Sequence, residues 1–175
     1  DGGVQEEVSQ GAARVAATLG LDNLIMFYDS NDIQLSTETK EVMNEDTAAK
    51  YRALGWEVIE INGNDAQQIR EAIEKAQKVE GKPTLIIGKC IMGKGALKAD
   101  GTSYEANCKT HGAPLGGDAY TNTIKNLGGD PENPFVIFDD VKAMYAARAE
   151  ELKAICAARH EEEKAWAAAN PEKAV

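Results

Sequence analysis

Apolar residues along the first ninety positions recur with two alternating periods. Val8, Ala12, Val15, Ala16 and Leu19 fall at three- and four-residue steps, which predicts a helix over 4–19 that Gly20 stops. The run Asn23-Leu24-Ile25-Met26-Phe27-Tyr28 then predicts a strand over 24–28, covered on both faces. A long polar loop over 29–45 follows, with Ser36-Thr37 and Asn44-Glu45-Asp46 as turn or cap residues. Residues 46–54 read as a short helix ended by Gly55, and 56–61 as a second strand. Asp65 can cap the next helix, whose apolar face is Ile69, Ala72, Ile73 and Ala76. Gly81-Lys82-Pro83 breaks it, and residues 84–90 make a third strand. Beyond a Gly-rich connection over 91–117, short-helix residues 118–127 and a turn segment over 128–134 lead to a long Ala-rich helix over 139–170. There Val141, Tyr145, Leu152, Ile155 and Cys156 are expected to form a buried stripe, with Trp56 and Trp166 as packing residues.

Helix and strand in alternation predict an α/β fold, a doubly wound, mostly parallel sheet with a long C-terminal helix. The chain of 175 residues is one domain's worth, read as 1–134 followed by a helical segment over 135–175. A net charge of −10 argues against nucleic acid or an anionic membrane as partner. No apolar run approaches the ~18 residues of a membrane helix. Cys90, Cys108 and Cys156 form no CxxC pair, so a disulfide framework or zinc site is not expected and a cytoplasmic setting fits. His160 sits in a run of helix charges and reads as a surface residue.

Ligands of open α/β sheets sit in the crevice beyond the C-terminal strand ends. Asp1-Gly2, opening the first helix, and Asp29-Ser30-Asn31-Asp32-Ile33, closing the first strand, would both lie there. A carboxylate and a carboxamide at such ends can share one Mg²⁺, which takes few protein oxygens and keeps water and phosphate ligands. Asp29–Lys40 is no calcium loop, because Gln34 stands at position six and Lys40 at position twelve. Gly93-Lys94-Gly95 lacks the upstream Gly and following Ser/Thr of a Walker loop, although it can still cover a cofactor.

The same residues resemble a known fingerprint. Asp1-Gly2 with Glu6 and an Ala-rich helix, then Asn31 thirty residues on, is similar to the thiamine diphosphate motif, a GDG followed by a metal-binding Asn. Glu45-Asp46-Thr47-Ala48, Tyr51-Arg52-Ala53-Leu54-Gly55-Trp56, Lys82-Pro83-Thr84-Leu85-Ile86, Gly93-Lys94-Gly95 and His111-Gly112-Ala113-Pro114-Leu115-Gly116 narrow the resemblance to transketolase, firmly over 1–117 and loosely over 118–175. It implies an incomplete thiamine diphosphate-binding fold in which Asp1, Asn31 and the Ile33 carbonyl hold Mg²⁺, with Ca²⁺ or Mn²⁺ as substitutes. Gly2 would let the backbone approach the diphosphate, and the following helix would point its N–H groups at the same anion. Glu6 would sit at a homodimer interface, against the glutamate that activates the aminopyrimidine. His111 would donate to the diphosphate and to the donor sugar.

The activity so implied is transfer of a two-carbon ketol unit from a ketose phosphate to an aldose phosphate. Alternatives are 1-deoxyxylulose-5-phosphate synthase, the first component of a 2-oxo acid dehydrogenase, and a non-catalytic cofactor-binding subunit of a split enzyme. The sequence starts inside the GDG motif, Ser30 replaces a frequent second Asp, and the loop between Gly95 and His111 is long and lacks a His after Gly101-Thr102. The family's upstream histidines, activating glutamate and phosphate-binding arginines are not in these residues. The chain is therefore expected to be part of a larger enzyme and inactive alone.

Overall fold

The computed structural model describes residues 1–35 and 37–174. They fall into two compact units, Asp1–Pro131 and the segment from Glu132 onward. The first unit carries a three-stranded, wholly parallel sheet of β1 (Ile25–Ser30), β2 (Glu57–Asn62) and β3 (Thr84–Lys89) in the order β1-β3-β2. The register pairs Ile25 with Thr84 and Glu57 with Thr84, so all three strands end at the same level, at Ser30, Lys89 and Asn62. Cys90 N–H extends the ladder to the Ser30 carbonyl (3.0 Å).

β3 is the covered strand: Thr84, Leu85 and Ile86 are almost wholly buried. β1 departs from expectation. It is an edge strand with Phe27 43% exposed, because a neighbour lies on one side only and its outer face has no full cover. Phe27 instead packs over Gly88, where a Cβ would come within 2.4 Å of the ring.

The N-terminal helix is also not continuous. α1 (Gly2–Gln5) is one turn, and Glu6 at φ −66°, ψ 135° breaks the helix before α2 (Glu7–Thr18). The break leaves carbonyls of α1 without intrahelical partners, and side chains of α2 satisfy them. Ser9 Oγ donates to Gly3 O (2.7 Å), and the Gln10 amide donates to Val4 O. α2 turns Gln10, Ala13 and Ala16 inward, where the small side chains admit Trp56 and Tyr51. Val8, Val15 and Leu19, which mark the helical period, are exposed, Val8 at 78%. A helix packed on one layer buries one stripe, and here the Ala stripe wins because the indole N–H of Trp56 must reach the Ala13 carbonyl (2.9 Å). Trp56 and Tyr51 also meet edge to face, 5.2 Å between centroids.

The remaining elements start and stop where their caps dictate. Asp46 accepts the Ala49 N–H (2.9 Å) to open α3 (Thr47–Leu54), and Gly55 at φ 100° closes it. Asp65 accepts from Gln67 and Gln68 at the start of α4 (Ala66–Ala76), whose Ala72 and Ala76 pack on Ile86 while Ile73 stays exposed. In the polar loop, Thr37 O accepts from Gln34 N–H (3.0 Å), whereas Ser36 lies outside the described residues. The connection after β3 holds a small hairpin with Leu97 bridged to Ser103, then a 3₁₀ turn at Cys108–Thr110. α5 (Gly117–Asn126) anchors that hairpin: Thr123 Oγ1 accepts Leu97 N–H (2.9 Å) and Asn126 donates to Gly95 O (2.9 Å).

The second unit carries α6 (Asp139–Ala169). No described residue of α6 is buried. Tyr145, Leu152 and Ile155 are exposed, and Trp166 is 52% exposed rather than a packing residue. One helix cannot bury its own apolar stripe, and the described residues of this unit supply no second helix or strand to cover it.

Candidate functional site

The parallel register brings three loops to one edge of the sheet, as an open α/β fold dictates. Asp1 stands at the N-terminal end of α1 and its carboxylate bridges to the end of β1. The Tyr28 hydroxyl donates to Asp1 Oδ1, and the Asn31 backbone N–H donates to Asp1 Oδ2 (3.1 Å). Tyr28 is 8% exposed, and burial, ahead of a hydrogen bond with Ser30 that acts the other way, raises its pKa, so the phenol stays a donor.

Asn31 is fixed from two sides. Its Oδ1 accepts the Ile33 N–H (3.0 Å), and its Nδ2 donates to Asp29 Oδ1 (3.2 Å). Asp32 between them takes φ 66°, a left-handed conformation that Asp tolerates better than most side chains, and its carboxylate meets the Lys89 ammonium. Ile33 is buried and bridges antiparallel to Glu38. The loop is thereby held as a unit, with Thr39 N–H donating to Asp32 O (2.8 Å).

Two larger cavities open beside these residues, with a smaller one of about 270 Å³ against Asp1, Tyr28 and Asp29. One of about 540 Å³ is lined by Asn31, Ile33, Asn62, Lys89, Cys90 and Lys94 among others. The second, about 330 Å³, is bounded by Asp1, Tyr28, Ser30, Asp32 and Thr47 among others. Hydrogen bonds thus link Asp1 to the Asn31 backbone and Asn31 to Ile33, with Asn31, Ile33 and Lys94 of the Gly93-Lys94-Gly95 segment on the first cavity and Asp1 on the second. Gly2 is exposed, and a Cβ there would meet nothing within 4 Å, so the backbone at this point faces open space.

Three expected contributors stand differently. The helix dipole expected behind Gly3 belongs to α2, which starts only at Glu7, so α1 offers a single turn of N–H groups at Gly2 and Gly3. Glu6 is exposed at the break between the two helices. His111 closes the 3₁₀ turn and lines neither cavity; its Nδ1 is buried without a hydrogen-bond partner among the described residues. The following Gly112 lies beside Leu35, whose side chain is 3.8 Å from a Cβ built at Gly112. Tyr28 and Asp29 were missed as site residues; the available signal was a tyrosine ending a buried run, which needs a partner for its hydroxyl.

The donor set is made of hard oxygens. Each Asp1 carboxylate oxygen and Asn31 Oδ1 accepts one protein hydrogen bond, which leaves each a lone pair for a cation. Among the described residues no cluster of three or more His, Cys, Asp or Glu offers an alternative metal cage. These groups fit a cation that also draws on water and phosphate oxygens.

The family model for the thiamine diphosphate binding domain of transketolase matches residues 1–175. The chain belongs to the transketolase family. It is 39% identical over 149 residues to transketolase 2 of Xanthobacter flavus, covering 85% of this chain and 21% of that protein. It is 43% identical over 144 residues to a probable transketolase of Streptococcus pneumoniae, with 82% and 21% covered. Among solved structures, transketolase from Leishmania mexicana superimposes with a TM-score of 0.87 at 32% identity, over 99% of this chain and 25% of that one. The Pichia stipitis transketolase complex with sedoheptulose-7-phosphate gives 0.86 at 32% identity, over 99% and 25%. The chain thus spans about a fifth of the length of the curated transketolases it matches. No helix among the described residues is long and apolar enough to cross a membrane.

Proposed function

We propose that this chain supplies the Mg²⁺- and diphosphate-binding part of a transketolase that moves a two-carbon ketol unit from a ketose phosphate to an aldose phosphate. Residues 1–134 form the binding part, and residues 135–175 lead into a second domain of a cytoplasmic homodimer. The observation that carries the reading is the hydrogen bond from the Asn31 backbone N–H to Asp1 Oδ2 (3.1 Å), which ties the start of α1 to the loop after β1 at the C-terminal ends of the strands. Sugar phosphates as substrates are supported by the sedoheptulose-7-phosphate complex of the Pichia stipitis relative.

Thiamine diphosphate, when bound, supplies the nucleophilic carbon that carries the two-carbon unit. The chain's own residues bind and orient. Asp1, Asn31 Oδ1 and the Ile33 carbonyl hold Mg²⁺, with Ca²⁺ or Mn²⁺ as substitutes. Gly2 gives the diphosphate side-chain-free backbone. Tyr28 holds Asp1 in one orientation, as partners behind metal ligands do. His111 donates to the diphosphate and to the donor sugar's hydroxyl, and Glu6 meets the partner subunit at the dimer interface.

The test uses the full-length enzyme that carries this chain. Stripped with a chelator, it should turn over xylulose 5-phosphate with ribose 5-phosphate only when Mg²⁺ and thiamine diphosphate are both restored. Turnover of pyruvate with glyceraldehyde 3-phosphate in place of that pair would assign it to the deoxyxylulose phosphate synthases instead.

A further inference from the structure

We infer that Asp29 is a positioning residue for the cation site: its carboxylate accepts Asn31 Nδ2–H and so decides which end of the Asn31 carboxamide faces the cation. The inference rests on the reading of Asn31 as a Mg²⁺ ligand.

A carboxamide has two ends of similar shape and opposite chemistry, an acceptor oxygen and a donor NH₂. Only the oxygen can ligate a cation. Turning Asn31 by half a revolution would set its NH₂ against the Ile33 N–H, donor to donor, and its oxygen against the Asp29 carboxylate, acceptor to acceptor. The observed pair of contacts, 3.0 Å from Ile33 N–H and 3.2 Å to Asp29, excludes that state from both ends. Removing Asp29 leaves one of the two restraints.

Strand geometry makes Asp29 available for this task. Residues two apart in an extended chain share a face, so Asp29 near the end of β1 lies on the side of Asn31, opposite Tyr28 and Ser30. Asp1 and Asn31 are thus oriented by different residues from different faces of one strand: Tyr28 serves the carboxylate, Asp29 the carboxamide. Asp29 is paired in register with Gly88, and its carboxylate acts on the neighbouring Cys90 thiol, whose pKa is raised by burial first and by Asp29 second. The thiol therefore stays protonated beside it. Ligands of this kind usually lose 10–100-fold in metal affinity when the group behind them is removed.

The experiment is calorimetric titration of Mg²⁺ into the chelator-stripped, full-length enzyme at saturating thiamine diphosphate. Asp29→Ala, Asp29→Val, Asp29→Asn and Asn31→Ala are compared, with thermal midpoints as a control on folding. Val is included because it suits a strand and carries no acceptor. The expected result is a Kd raised about tenfold or more by Ala and Val, with Asn within about threefold of the parent, because its oxygen still accepts from Asn31. KM for the sugar phosphates at saturating Mg²⁺ stays unchanged. Equal losses in Asp29→Asn and Asp29→Ala would overturn the inference, since charge rather than orientation would then be at work. Parent-like affinity in Asp29→Ala and Asp29→Val beside a loss in Asn31→Ala would also overturn it, leaving the metal reading intact. Parent-like affinity in Asn31→Ala would remove the metal reading and the inference with it.

Discussion

Replacing Tyr28 by Phe deletes one oxygen and tests whether the Asp1 carboxylate must be held to bind a cation. In the parent chain Asp1 has two protein donors, the buried Tyr28 hydroxyl on Oδ1 and the Asn31 N–H at 3.1 Å on Oδ2. A hydrogen bond to a charged group contributes about 1.5–3 kcal/mol. Asp1 is half-buried, so water replaces part of the lost bond and the low end, about 1.5 kcal/mol, applies. Two effects then oppose each other. Losing a donor leaves more negative charge on the carboxylate, which favours a cation, while the freed side chain rotates, which disfavours it. Mg²⁺ demands near-ideal octahedral geometry, so orientation should win. The expected result is a Kd for Mg²⁺ about tenfold higher in Tyr28→Phe, the equivalent of roughly 1.4 kcal/mol. It would be measured by calorimetry on the stripped full-length enzyme at saturating thiamine diphosphate. Unchanged binding would show that Asp1 needs no such support, and tighter binding would show that the hydroxyl withdraws charge; either refutes the reasoning.

Trp56→Phe should lower stability by about 2 kcal/mol, combining the lost indole N–H bond to Ala13 with the void left by the smaller ring, and a urea midpoint within error of the parent would contradict that. Gly63→Ala should lower the thermal midpoint and cost about 1–3 kcal/mol, because the new Cβ would lie 2.4 Å from Cys90 Sγ and 2.9 Å from the Gly88 backbone. Cys90→Ala should relieve only the sulfur part of that clash. Glu57, between Lys82 (3.1 Å) and Lys75 (3.3 Å), has its pKa lowered from 4.5, chiefly by the Lys82 hydrogen bond. A lowered acid pKa stabilises the fold above about pH 4.5 and loses that contribution as pH falls through the lowered value. Glu57→Gln should therefore be less stable than the parent by about 0.5 kcal/mol at pH 7, discounted for the exposed lysines, with the gap closing well below pH 4 in urea titrations.

What could be read in the sequence was whatever a local signal fixes. Asp46, Gly55 and Asp65 set helix ends by their own hydrogen bonds or backbone conformation, and β3 announces itself as a short apolar run between breakers. Asp1, Asn31 and Ile33 could be picked as candidates from spacing and resemblance, and the Asn31 N–H does donate to Asp1 while the Ile33 N–H donates to Asn31. Burial was less legible. Val8 and Val15 are more apolar than Ala13 and Ala16, yet the alanines face inward because Trp56, forty residues on, requires a close helix. The break at Glu6 depends on Ser9 and Gln10 reaching back to α1, a contact that no periodicity encodes. Tyr28 and Asp29 read as the end of a strand, because their roles arise only once Asp1 and Asn31 are folded against them. The buried stripe expected on α6 is not found: Tyr145, Leu152 and Ile155 are exposed, because apolar spacing on one helix does not say whether anything covers it.

Asp1 and Asn31 are proposed to share one cation. A crystal of the full-length enzyme grown with Mn²⁺ and thiamine diphosphate tests it most directly through the anomalous signal of the metal. One peak is expected about 2.1 Å from both an Asp1 carboxylate oxygen and Asn31 Oδ1. A peak elsewhere, or one bound to Asp1 with the Asn31 amide turned away, would contradict it.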